Sequence, residues 1–270
     1  MPTFQTPEPI VVRIDAGGGS IHLVASDRTD TVVEVRPRDE SRGSDVRAAE
    51  HTRVDFRDGE LVVSAKHGLP LFWGGAIDLE ILLPLRSRLR VAMASADLRA
   101  EGEFADCKFA GASGDVEVDS VVGKMKATNA SGSLTVHTAE GGFSVATASG
   151  DVTIGNLDGD LKFKAASGSL TVDRLRGQVK SQTASGSVEV AAAVRGAVSA
   201  DTSSGEVAVG VAEGTAVRLD IITGSGVVTN RLQPSDGPQL GDETFVLEVR
   251  SGSGGVDIHR VRQAHDTANG

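Results

Sequence analysis

Cysteine occurs once, at Cys107, tyrosine not at all and tryptophan once, and aromatic residues make up 3% of the chain. A lone cysteine excludes an internal disulfide framework and fits a reducing compartment. So few rings argue against the broad aromatic platforms of carbohydrate-binding surfaces. No run of 18 apolar residues occurs, which argues against a membrane-spanning helix. The opening MPTFQTPEPI lacks the basic region and apolar core of a secretory signal. Basic residues are outnumbered 27 to 37 by acidic ones, for a net charge of -10. Nucleic acid is therefore not expected as a partner, because phosphate binding needs concentrated positive charge. Nothing matches a P-loop, GxSxG or HExxH, and the GGGSIH at Gly17 precedes a strand rather than a helix. These absences predict a soluble, cytoplasmic protein that is not an enzyme and carries no cofactor and no metal.

What the chain has in quantity is glycine, 33 residues, and much of it is periodic. Ser-Gly recurs at Ser113, Ser131, Ser149, Ser167 and Ser185, each 18 residues after the last. Ser95 opens a degenerate copy, ASAD, in the same phase, and Ser204 follows after 19. A fixed period near 20 signals stacked units, each unable to bury its apolar face alone. Counting the serine as zero, apolar or small residues fall at plus three, five, eight, twelve, fourteen and seventeen. In one copy these are Val152, Ile154, Leu157, Leu161, Phe163 and Ala166. Spacings of two mean strand. Each copy is expected to hold two short strands and two corners, one at Ser-Gly and one at a glycine at plus ten: Gly123, Gly141, Gly159 and Gly177. Glycine there supplies backbone angles that other residues avoid. The fold class is all-β, a β-solenoid (β-helix) of about 18-residue coils with an irregular β N-terminal cap.

Four regions follow from this pattern. Residues 1–9, with three prolines, read as a loose N-terminal arm. Residues 10–92 read as N-terminal β layers and cap. Within them, strands at 10–14 and 20–25 turn at Gly17, Gly18 and Gly19, and a third strand runs over 31–35. The polar stretch 36–52 is a loop or a short helix, and 54–65 is a hairpin turning at Asp58-Gly59. A loop at 67–75 carries Trp73, and Pro84 should break the ladder of the strand pair at 77–91. Residues 93–262 read as the repeat solenoid with closing strands near 227–229, 244–250 and 255–261 around a loop at 233–242. Residues 263–270 read as a disordered tail.

IDLEILLPLRSRLRVAMASAD, the reiterated ASGDV and ASGSL, DIITGSGVVTN and the closing SGSGGVDIHR together resemble the bacterial toastrack family of β-strand-repeat proteins, from about Ile10 to Val261. That family is largely a domain of unknown function, labelled adhesin by analogy, and some members are linked to membrane proteins of envelope-stress systems. The resemblance implies a non-enzymatic interaction or scaffold module associated with cell-envelope regulation. Its partner would be a protein, a membrane protein in the envelope case, with no direct membrane insertion by this chain. Two alternatives stand beside it: a self-assembling, filament-like homo-oligomer built through exposed solenoid ends, and a carbohydrate-active or carbohydrate-binding solenoid.

The outward positions hold the candidate sites. Plus thirteen carries Lys108, Lys126, Lys162 and Lys180, interrupted by Ser144, a stripe able to grip an anionic surface or an acidic partner. Asp106 and Asp160 at plus eleven offer balancing charge. Arg86, Arg88 and Arg90 form a similar stripe on one side of a strand. On the plus-six column, His137 is read with Asp119 and Asp173 one coil away on either side, a weaker, catalytic alternative that lacks a nucleophile and a pocket. Asp115 and Asp151 beside the Ser-Gly corners suit turn chemistry rather than calcium. Cys107, at plus twelve, is expected inside as a small hydrophobe.

Overall fold

The computed structural model describes residues 1–65, 75–233 and 243–261. The expected loops at 67–75, with Trp73, and at 233–242 lie almost wholly outside the described residues, as does the tail at 263–270.

The chain opens with β1 (Thr3–Gln5), β2 (Val11–Ser26) and β3 (Asp30–Pro37), then a helix, α1 (Gly43–His51), then β4 (Arg53–Arg57), β5 (Glu60–Ser64) and β6 (Ala76–Pro84). β2 lies between β5 and β6 on one side and β7 (Arg88–Phe104) on the other, all parallel to it. The glycines at 17–19 therefore make no hairpin; they sit inside one continuous strand. Gly19 passes so close to Ile77 that a Cβ there would lie 1.8 Å from its carbonyl oxygen. β4 and β5 form the expected antiparallel hairpin, with Asp58 and Gly59 at φ 51° and 76°. β3 pairs antiparallel with β6, and β1 antiparallel with β3. Residues 1–9 are thus not a loose arm: the hydroxyls of buried Thr6 and Thr31 meet at 2.8 Å, and Phe4 packs on Phe56 with ring centroids 5.3 Å apart. The polar stretch after β3 resolves into α1. It sets Ala48 and Ala49 against the core and turns Asp45 inward to accept the Ala76 N–H at 3.1 Å.

Beyond β7 the period takes over. A short β8 (Cys107–Gly111) is followed by four strands of equal length: β9 (Val116–Asn129), β10 (Leu134–Thr147), β11 (Val152–Ala165) and β12 (Leu170–Thr183). Each pairs in parallel with the strand 18 residues on. Each coil is one continuous strand, not two, because its bends do not break the ladder. The pairing skips only the plus-six residue, as at His137 and Gly155, and passes through the plus-ten glycine, where Gly141, Gly159 and Gly177 take φ of 121°, 151° and 145°.

The inward residues are those the period predicts, with one exception. Val152, Ile154, Leu157, Leu161 and Phe163 are all at or below 2% exposure. The plus-seventeen alanines, Ala148, Ala166 and Ala184, are exposed instead, and the glycine two residues on is buried in their place. A Cβ on Gly168 or Gly186 would lie 2.1 or 1.9 Å from the carbonyl oxygen of the glycine one coil below. These corner glycines are required by close backbone approach and not by a left-handed φ. Threonine finishes the corner: Thr147 and Thr202 accept the N–H of Gly150 and Gly205 at 2.8 and 2.9 Å.

The far end departs from chain order. It contains β13 (Val188–Thr202), β14 (Val207–Ala212), β15 (Thr215–Thr223), β16 (Val228–Asn230), β17 (Glu243–Ser251) and β18 (Val256–Val261). β17 lies between β13 and β15, and β18 between β14 and β16. The last coil in sequence is therefore inserted beneath the one before it.

Candidate functional site

Parallel stacking places residues of equal phase directly over one another, about 4.8 Å apart. The four stripe lysines accordingly share a column: Lys108 pairs with Lys126, Ser144 sits between Lys126 and Lys162, and Lys162 pairs with Lys180. The column is longer than the stripe. Arg90 pairs with Lys108 and Arg13 with Arg90, so four consecutive layers present cations. Arg90 was legible as the residue 18 before Lys108; Arg13 was not, because the cap is off the period. In the other direction the column continues through Ser199 to the acidic Glu248 and Asp220.

All six cations are exposed; Arg13 reaches Asp15 at 4.0 Å, and the other five form no ion pair with a described residue. The expected balancing aspartates do little for the lysines. Asp106 accepts the Lys124 backbone N–H at 2.9 Å and stands 3.9 Å from Arg88, and Asp160 forms no ion pair with a described residue. Like charges opposed across strands repel, so a column of this kind is held at a cost. At Gly142 and Ser144 the face dips into a depression of about 580 Å³, bounded by Lys124, Lys126, Lys162 and Asp160.

The arginine stripe does not form as read. Arg86 sits at a turn with φ 58° and bonds Glu103, so only Arg88 and Arg90 share β7.

The structure does not assemble Asp119, His137 and Asp173. Gly155 occupies the plus-six position between His137 and Asp173, which are two coils apart rather than one. Asp119 accepts the Gly102 N–H at 2.9 Å, and His137 lies 3.2 Å from Glu117 instead. Among the described residues no group of three or more His, Cys, Asp or Glu is placed to hold a metal. Asp115 accepts the Ser133 N–H and hydroxyl at 2.7 and 2.8 Å, and the backbone bond foremost holds its carboxyl below the usual range. Asp151 receives the Ser169 N–H in the same way at 2.9 Å. Both tie one corner to the next. Cys107 is buried between Leu89 and Met125, and desolvation, with the Asp106 charge adding, pushes its thiol up to about 12.

No helix among the described residues is long and apolar enough to cross a membrane. Residues 41–157 match the model of the family described as Toastrack DUF4097. Among solved structures, one from Bacteroides fragilis named "putative adhesin" is similar at 11% identity, over 96% of this chain and 95% of that one, with a TM-score of 0.47. A protein of the same name from Parabacteroides distasonis is similar at 10% identity over 96% and 95%, with a TM-score of 0.39. A "putative lipid binding protein" from that organism is similar at 11% identity over 96% and 95%, with a TM-score of 0.36. No curated protein sequence matches the chain.

Proposed function

We propose that this toastrack-repeat chain is a non-enzymatic interaction module, and that the column of Arg13, Arg90, Lys108, Lys126, Lys162 and Lys180 is the face that engages an acidic protein partner. The observation that supports this is the stacking itself. Six exposed cations share one line on a molecule whose net charge is -10, at a spacing where neighbours repel. An acidic surface laid along the column relieves that repulsion, and complementary potentials of this kind speed encounter and select partners. In this reading residues 10–92 are the cap and contribute Arg13 and Arg90 to the face, and residues 93–262 contribute the four lysines. The partner is a membrane protein of the cell envelope, and the chain stays in the cytoplasm, where its unpaired, buried Cys107 is at home.

Crosslinked co-purification from the native cells, with soluble and membrane fractions kept separate, tests this. The expected result is a membrane-fraction partner whose capture is lost when Lys108, Lys126, Lys162 and Lys180 are changed to Glu and which weakens with added salt. Capture unchanged by the four reversals would sink the assignment of the face. Recovery of the chain without any partner would sink the function.

A further inference from the structure

Five large apolar side chains stand exposed among the described residues, and three of them belong to the coil stacked last: Ile222 at 61%, Val227 at 74% and Val228 at 43%. That coil is unfinished in two further ways. β15 pairs with β17 and β16 with β18, and neither has a second partner among the described residues. Its inward side chains, Val217, Leu219 and Ile221, are only partly buried, while Phe245, Leu247 and Val249 one layer below are at or under 1%. An open edge of this kind is a template for another strand.

The sequence of β15, TAVRLDIIT, is complementary to itself about Leu219. A second copy related by a two-fold axis through Leu219, normal to that face, lays its β15 antiparallel on the first. Arg218 then stands opposite the partner's Asp220, and Asp220 opposite the partner's Arg218. Leu219 meets the partner's Leu219, Val217 meets the partner's Ile221, and Ala216 meets the partner's Ile222. Neither Arg218 nor Asp220 has an ionic partner among the described residues, and both point outward, so this register satisfies two charge pairs and continues the apolar columns from one chain into the next. Sliding the axis by one residue would oppose Asp220 to the partner's Asp220. We propose that the protein forms a closed two-fold dimer through β15 in the register centred on Leu219. The pairing consumes the same edge on both chains and so stops at two.

Light scattering after size exclusion, over a concentration series, should give twice the chain mass. Arg218→Asp alone and Asp220→Arg alone each oppose like charges and should weaken the dimer ~10-fold or more. The double variant R218D/D220R restores opposite charges in this register only, and should recover most of the affinity. Circular dichroism and urea melts at low concentration verify that each variant is folded, as expected for exposed positions. A chain that stays monomeric, a mass that keeps growing with concentration, a dimer indifferent to either single reversal, or a double variant no better than the singles would each overturn the proposal.

Discussion

The two ends of the stack solve the same problem differently. At the N-terminal end the parallel ladder gives way to antiparallel strands, β3 on β6 and β4 on β5. The three-residue β1 follows, and α1 sets Ala48 and Ala49 against the core. The edge strand β4 alternates charged Arg53, Asp55 and Arg57 outward with Val54 and Phe56 inward, and Phe4 covers Phe56. At the other end the described strands stay parallel, β15 is nine residues long, and no described strand lies above its inward side chains. Short strands, reversed direction, charge and a covering helix are the devices by which sheets avoid unwanted pairing. Antiparallel strands and a covering helix occur at the first end and not among the described residues of the second, and that contrast is what the proposed β15 dimer rests on.

Substitutions at equivalent positions can break this contrast. The largest effect is expected in the columns. Phe163→Asp places a charge where no surface is exposed; large truncations in cores already cost about 3–5 kcal/mol, and an unpaired charge adds more, so the chain should unfold. Leu219→Asp, at the unfinished layer, should cost about 1 kcal/mol in dilute urea melts. Equal losses would mean that the last coil is covered after all. The corner glycines give the next contrast. Gly186→Ala drives a Cβ to within 1.9 Å of the Gly168 carbonyl oxygen and should cost about 3 kcal/mol. Gly214→Ala, at φ 79° with open space around it, should cost about 1 kcal/mol from backbone strain alone. Similar melts for the two would remove close backbone approach as the reason for the glycine column.

Acid gives the smallest effect and separates the halves. The carboxyls held below their ordinary range, Asp30 by Arg28, Asp39 by the Ser41 hydroxyl, Glu101 by His22 and Asp115 by the Ser133 amide, all lie in the first 115 residues. A carboxyl with a depressed folded pKa contributes stability that is present above its unfolded value, about 4. That stability is lost as pH falls through the folded one. Hydrogen exchange at pH 3 should therefore show protection falling first before residue 115; uniform loss along the chain would contradict this.

The interior of the repeats was legible because a period of 18 laid over a period of two leaves little freedom: Leu134, Val152 and Leu170 had to stack, and they do. The number of strands per coil was not legible, since the turn at Gly141 keeps its pairing and the bend at His137 drops only one residue from the ladder. Size alone puts Ala166 inside, but the interior slot of the corner belongs to Gly168, two residues on, where a Cβ would lie 2.1 Å from the Gly150 carbonyl oxygen. The basic column could be read wherever it kept phase, at Arg90 and the four lysines, and was lost at Arg13. The arrangement of His137 with Asp173 failed on counting, because 36 residues are two coils, with Gly155 between them. The end of the stack could not be ordered from sequence. Val217, Leu219 and Ile221 have the spacing of Phe245, Leu247 and Val249, and either set fits over Gly196, Val198 and Ala200.

That equivalence bears on how the molecule is made. A chain emerging from the ribosome delivers residues 215–230 before 243–261, so β15 and β16 are made before the strands that seat them on β13 and β14. The finished molecule has the late strands on β13 and β14 and the early ones on top of them. β15 and β16 can therefore take their final places only after β17 and β18 have arrived, and β17 and β18 end up held between the coil below and the coil above.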